Sequence, residues 1–225
     1  MRVTLLSYTK DAEKLCASAA HSCYSRKGAS ELMEEWDEAK GKRWLGNPLS
    51  SGHHSVIEHA SYTFSIEGLS RAASHQLVRH RIASYSQTSQ RYVSMKDAEY
   101  VTPASIAADP DLEKRYRDLM DRIWEEYGLL SKKVPAEDAR YVLPNACTTN
   151  ITVTMNAREL WHFFELRTCR RAQTAIREVA DEMLRLAREA SPFIFRNAGP
   201  PCISRGRCPE GKMSCGKPRT ELRQP

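Results

Sequence analysis

Between Ser61 and Leu77 the spacing of apolar residues changes, and no single type of secondary structure satisfies both halves. Tyr62, Phe64 and Ile66 alternate with Ser61, Thr63, Ser65 and Glu67, which predicts a strand with one buried face. Leu69, Ala72, Ala73 and Leu77 then recur at helical spacing, which predicts a helix over 69–79 carrying Gln76 and Arg79 on one side. Strand and helix must therefore be combined within a short stretch of chain.

The rest of the sequence agrees. Val3 to Tyr8 reads as a strand; 11–23, 31–44, 111–131 and 135–143 read as helices, the last stopped by Pro144. Gln173 to Ala190 places Ile176, Val179, Ala180, Met183, Leu184 and Ala187 on one broad face, suited to a core or a subunit interface. Strands and helices do not alternate regularly, and no Gly-x-Gly-x-x-Gly follows a strand, which disfavours a dinucleotide-binding parallel sheet. The expected fold is α+β, one domain with an antiparallel or mixed sheet flanked by helices. A chain of 225 residues, 41% hydrophobic, can bury one sizeable core. No apolar run reaches the ~20 residues needed to cross a bilayer, and the expected location is the cytoplasm.

The chemistry concentrates at Arg79-His80-Arg81-Ile82-Ala83-Ser84-Tyr85-Ser86-Gln87-Thr88-Ser89-Gln90-Arg91-Tyr92, which mixes cations, hydroxyls and amides without one carboxylate. Such a segment suits an anion. If 82–92 is extended, Gln87, Ser89 and Arg91 share a side, placing guanidinium and hydroxyl for a phosphate beside an amide for a sugar or base. A second signal lies in the helix that begins at Asn156, an N-cap with Glu159 in capping-box position. Its stripe of Leu160, Phe163 and Phe164 continues into Arg167, where packing would ask for an aliphatic side chain. That guanidinium needs an acceptor, or must reach out at the helix end, or pair locally with Glu165.

Other features carry less. The net charge of +6 and pI near 9.0 permit a nucleic-acid partner, but 34 basic residues are interleaved with 28 acidic ones and no nucleic-acid signature appears. Seven cysteines, an odd number, argue against a disulfide framework. Cys147 and Cys169 are candidates for a nucleophile or, more simply, for packing. His54, Glu58 and His59 sit at i, i+4 and i+5, so the two histidines do not share a helical face and no metal site is expected there. Gly206 to Lys212 has the spacing of a phosphate loop, but Met213 replaces its hydroxyl residue and Pro209 intrudes. Cys202, Cys208 and Cys215 fall in a Pro- and Gly-rich tail over 201–225, either flexible or a thiolate site completed by another chain.

Arg-His-Arg followed by Ser-x-Arg-Tyr resembles the signature of the flavin-dependent thymidylate synthases. His53-His54-Ser55-Val56-Ile57-Glu58-His59, Asn156-Ala157-Arg158-Glu159-Leu160 and Leu166-Arg167 resemble three further elements of that family, in order, over residues 50–175. The resemblance implies a homotetramer with active sites at subunit interfaces; the absence of long apolar runs and the interleaved charge lead us to expect no membrane or nucleic-acid polymer as partner. It implies FAD as cofactor, deoxyuridine monophosphate (dUMP) as substrate, and NADPH and 5,10-methylenetetrahydrofolate as co-substrates. By position it assigns Gln76, Arg79, Gln87, Ser89, Gln90, Arg91, Arg140 and Arg167 to the nucleotide. Ser55, Arg79, His80, Arg81, Gln87, Asn156, Arg158 and His162 fall to the flavin, with His53 near the flavin ring and the folate. Arg167 is the expected catalytic residue, stabilising charge on the pyrimidine. Many members carry Glu at Gln87, some Gly at Gln90 and some Asn at His162. The residues alone leave two alternatives standing, a phosphate- or RNA-binding protein and a flavoprotein with another substrate.

Overall fold

A computed structural model describes residues 1–220. The chain runs β1 (Arg2–Tyr8), α1 (Ala12–Ser22), α2 (Ala29–Glu34), α3 (Glu38–Ser50), a 3-10 turn (His54–Ile57), β2 (Ser61–Ser70), α4 (Arg71–Leu77) and β3 (Ala83–Gln87). It continues through α5 (Ala104–Ala107), α6 (Pro110–Leu130), α7 (Ala136–Ala139), β4 (Thr148–Asn156), α8 (Ala157–Arg167), α9 (Thr174–Ala190), α10 (Pro192–Phe195) and α11 (Pro201–Ser204). The four strands form one sheet in the order β1-β2-β4-β3, so the α+β expectation holds. Thr63 meets Thr154 on β4 while Gly68 meets Asn150, so β2 and β4 run antiparallel. Among the described residues no helix is long and apolar enough to cross a membrane.

Several boundaries move, each for a local reason. Tyr62, Phe64 and Ile66 are buried as the alternation requires, but at Gly68 the backbone turns to φ 71 and the alternation slips by one residue. Leu69 is thereby returned to the buried face while still in the strand, so its helix-like spacing from Ile66 is a bulge rather than a helix start. The helix begins at Arg71, capped by the Ser70 hydroxyl on the Ala73 amide at 3.2 Å, and ends at Leu77, which leaves Arg79 beyond it. The helix read over 31–44 is broken at Asp37, whose carboxylate accepts from the Ala39 and Lys40 amides and starts α3 afresh. The extended segment read over 82–92 stops at Gln87. Beyond it Ser89 closes a turn through its carbonyl, which accepts from the Tyr92 and Val93 amides.

The described chain divides into two compact units, and each strand has residues in both. One unit comprises 1–2, 66–79 and 86–152. Its core joins Met95, Tyr127, Ala139 and Cys147, with Trp124, Leu130 and Leu143 packed against them. The Tyr127 hydroxyl accepts from the Met95 amide at 3.0 Å, and the Trp124 indole donates to the Met95 carbonyl at 3.1 Å.

The other unit comprises 3–65, 80–85 and the chain from 153 onward. Its core is larger, with Tyr62, Phe64, Phe163, Phe164 and Phe195 fully buried. The Tyr62 and Phe195 rings meet edge to face at 5.2 Å, and Phe164 meets Phe195 likewise at 5.9 Å. The six apolar residues read on α9 are all buried within this one chain, so that face is core and not a subunit interface.

The Tyr62 hydroxyl donates to Ser191 Oγ at 2.7 Å, and both residues are sealed from water. Tyr62→Phe leaves the serine short of a partner and should cost about 1–2 kcal/mol, seen as a lower urea midpoint with an unchanged slope.

Candidate active site

Helix α8 is set by its first residue. Asn156 Oδ1 accepts from the Glu159 amide at 2.9 Å, which is half of the expected capping box. The reciprocal half is missing, because the Glu159 carboxylate turns inward and lies 3.3 Å from Nδ1 of the buried His80. At the other end of the helix, Arg167 Nε donates to Nε2 of the same imidazole at 3.1 Å. Since Nε2 accepts, the ring proton sits on Nδ1 and is donated to Glu159. Arg167, His80 and Glu159 thus form one hydrogen-bonded chain.

Its charge state follows from burial. Removal from water lowers the His80 pKa from 6.5 to about 4, and the Arg167 and His162 charges add to this effect. Burial also raises the Glu159 carboxyl, with His162 opposing. At neutral pH, His80 is therefore a neutral donor to Glu159, and the contact is no ion pair. Arg167, which stays protonated even when desolvated, donates to this neutral ring. Glu165, the local carboxylate that might have quenched it, is instead held by Arg205 at 2.9 and 3.1 Å.

The remaining expected residues fall into two sets. In the unit that holds Arg167, the exposed Arg81 follows the inward-turned His80, and no carboxylate partners it among the described residues. His162 faces solvent from α8 with its ring 5.6 Å from that of His80, Arg158 pairs with Glu58, and Ser55 is exposed on the 3-10 turn. His53 lines a pocket of about 420 Å³ with His21, Tyr24, Arg43 and Trp44, where His21 stacks on Trp44 at 4.0 Å. The His80 ring was expected on a cofactor; both its nitrogens are engaged inside the protein, so it supports Arg167 instead. Arg81 and the exposed donors around it fit an anionic cofactor.

In the other unit, Gln87 donates its amide nitrogen to Ser74 Oγ at 3.0 Å and Thr149 Oγ1 at 3.3 Å, which leaves its carbonyl oxygen to accept from a ligand hydroxyl. Arg91 reaches Glu137 through Nε and Nη2 at 2.9 and 2.8 Å, and Arg140 Nε donates to the Glu137 carbonyl at 3.1 Å, so one residue gathers both arginines. Ser89 and Gln90 occupy the turn before Arg91, Gln76 is half-buried on α4, and Arg79 is exposed. Arg71 was not foreseen. Burial lowers its pKa, Cys147 opposes this, and Arg140 is near enough to lower it further, so two cations lie close to one another. Arg71 shows only as the first residue after a strand, a position that carries no signal by itself.

Cys147 is fully buried and its thiol is raised by that burial, so it packs rather than attacks. Among the described residues no group of three or more His, Cys, Asp or Glu side chains is placed to hold a metal ion.

Residues 4–193 match the family model described as thymidylate synthase complementing protein. The chain is 53% identical over 220 residues to the flavin-dependent thymidylate synthase of Geobacter sulfurreducens, covering 96% of this chain and 94% of that one. The Clostridium tetani enzyme of the same name is 44% identical over 234 residues, with 96% and 94% covered. That of Sulfolobus acidocaldarius is 48% identical over 210 residues, with 90% and 78% covered.

A histidine depressed by folding binds fewer protons in the native chain than in the unfolded one between pH 6.5 and about 4. Its contribution to stability is therefore complete above 6.5 and lost as the pH falls through that window, by roughly 2–3 kcal/mol. The raised Glu159 acts with the opposite sign, so a difference isolates His80. His80→Gln should show a flatter loss of stability than the native protein between pH 6.5 and 4 in denaturant titrations. Parallel curves would refute the neutral buried ring.

Proposed function

We propose, on the premise that the chain belongs to the flavin-dependent thymidylate synthase family, that its two residue sets hold dUMP and FAD and that Arg167 activates the pyrimidine. The enzyme is a methyltransferase that converts dUMP to thymidylate, with 5,10-methylenetetrahydrofolate as carbon donor and NADPH as reductant. FAD, when bound, supplies the redox chemistry.

The observation that carries the assignment is the hydrogen bond from Arg167 to the buried, neutral His80. The imidazole fixes the orientation of the guanidinium without adding a charge of its own, so that the protonated arginine can stabilise negative charge on the ring as N3 ionises. Glu159 fixes the tautomer that makes this possible. His80 and Glu159 are thus positioning residues, and Arg167 is the catalytic one.

On the nucleotide side, Gln76, Arg79, Gln87, Ser89, Arg91 and Arg140 hold sugar and phosphate, with Gln90 acting through its backbone. The Gln87 carbonyl suits a ribose hydroxyl, and as an amide it cannot serve as a base. The clustered Arg71 and Arg140 supply positive potential for a dianion. On the flavin side, Ser55, Arg79, Arg81, Gln87, Asn156, Arg158 and His162 supply donors, and His53 lies beside the folate. His80 enters this set through its neighbours rather than its ring. Residues 1–200 form the synthase domain and 201–225 the tail, of which 221–225 lie outside the described residues.

The enzyme works in the cytoplasm as a homotetramer whose subunits share ligands. Support comes from exposed Leu112, Leu119 and Leu129 along α6, a helix with only Met120 and Tyr127 buried in its own chain.

Arg167→Ala should retain a normal flavin spectrum while thymidylate formation at saturating substrate falls about 10²- to 10³-fold, as when one charge-stabilising donor is removed. Full activity in that variant would refute the role. A native protein that binds no flavin and makes no thymidylate would refute the reading as a whole.

A further inference from the structure

A second cavity, of about 880 Å³, opens at the C-terminal end of α8, and the tail forms its far wall. Among the described residues, three ion pairs hold the tail in place as far as residue 220. Arg205 grips Glu165, Glu210 pairs with Arg171, and Arg219 reaches Asp181 at 2.8 Å and the Thr168 carbonyl at 2.7 Å. The last pair is the strongest anchor, since its two side chains are only 12% and 13% exposed. A segment this rich in Pro and Gly is not ordered by its own propensities; the helices α8 and α9 fold it back.

Two kinds of surface line the cavity. Leu166, Pro200, Pro201 and Ile203 give an apolar wall, while Arg170, Arg207 and Lys217 line it with no carboxylate partner among the described residues. Arg167 is among the same lining residues. Its volume is within the range that accepts a small organic ligand, and far beyond what a single inorganic anion would fill.

We propose that this cavity binds the adenosine 2′-phosphate end of the NADPH reductant, with adenine on the apolar wall and the phosphate on Arg170, Arg207 and Lys217. The inference rests on the synthase reading, which supplies NADPH as a co-substrate. Arginine forks favour phosphate over simpler anions because they engage two oxygens at once. The glutamyl end of the folate donor is also anionic, but it is flexible and polar throughout and makes no use of the apolar wall.

Calorimetric titration of FAD-loaded protein with adenosine 2′,5′-bisphosphate tests the site without turnover. Binding should occur and weaken at least about tenfold in the triple variant Arg170→Ala, Arg207→Ala, Lys217→Ala. Asp181→Asn, which loosens the tail but removes none of the three cations, should weaken it as well. In steady state the triple variant should raise the KM for NADPH about tenfold and leave the KM for NADH, which lacks the 2′-phosphate, and kcat nearly unchanged. No binding of the bisphosphate, or equal binding by all three proteins, overturns the proposal. So does displacement of the bisphosphate by tri-γ-glutamate at lower concentration, which would assign the cavity to the folate tail. Thymidylate formation with dithionite in place of NADPH separates the two readings: if the native protein and the triple variant both retain it while bisphosphate binding fails, the synthase reading stands and this inference falls.

Discussion

The uncharged imidazole of His80 is the constraint on which the rest of the active site depends. It is buried, it takes a hydrogen bond from Arg167, and it gives one to Glu159. Each condition requires the others. Without burial the ring would titrate near its ordinary value, and once charged it would repel the guanidinium it now holds. Without Glu159 the tautomer would be unfixed, and Nε2 could carry the proton instead of accepting one. Phe163, edge to face with the ring at 4.9 Å, supplies part of the dry surroundings. The packing of α8 is in this sense part of the electrostatics.

The burial of His80 also governs what its neighbours in sequence can do. His80 turns inward in the irregular link between α4 and β3, while Arg79, Arg81 and Ile82 are all exposed. The Tyr85 hydroxyl, donating to the His80 carbonyl at 2.7 Å, ties the start of β3 to this bend. The basic segment is thus a buried anchor with cations disposed around it, which a uniform solvated turn would not provide. Gln87, at the end of the same strand, is held through two hydroxyls in the same economical way: its donors are spent on the protein and its acceptor is kept.

Period-based reading recovered the elements whose packing is settled by one face. The alternation over 61–67 and the stripe of α9 are both buried as read, because each buries its apolar side within the same chain. It failed where one residue changes the backbone. Gly68, at φ 71, shifts the phase of β2 and makes a strand residue look helical. Asp37 starts a helix inside what reads as a continuous one. Strand β4 was not read at all, although Ile151, Val153 and Met155 alternate within it, because Thr and Asn at its start resemble a loop. At the site, Arg167 was legible since a cation interrupts an apolar stripe. Glu159 was not, because the capping-box pattern already accounted for an acid at that position.

Charge pairing is uneven among the arginines: Arg91 and Arg158, assigned to the ligands, are paired with Glu137 and Glu58. Arg185 lies between Glu182 and Glu189 on α9, and such exposed pairs contribute little beyond solubility and local helix support. Arg71 and Arg140 are different, since Arg140 donates to a backbone carbonyl and lies near enough to Arg71 to lower its pKa. Holding like charges together and partly out of water opposes folding, so the arrangement is stabilised only when an anion arrives. A net charge of +6 spread evenly would steer any polyanion to the surface. Concentrated instead in a segment with no carboxylate, and fixed by a neutral histidine, the same excess becomes selective for a small ligand that brings both a phosphate and a ring able to take up charge.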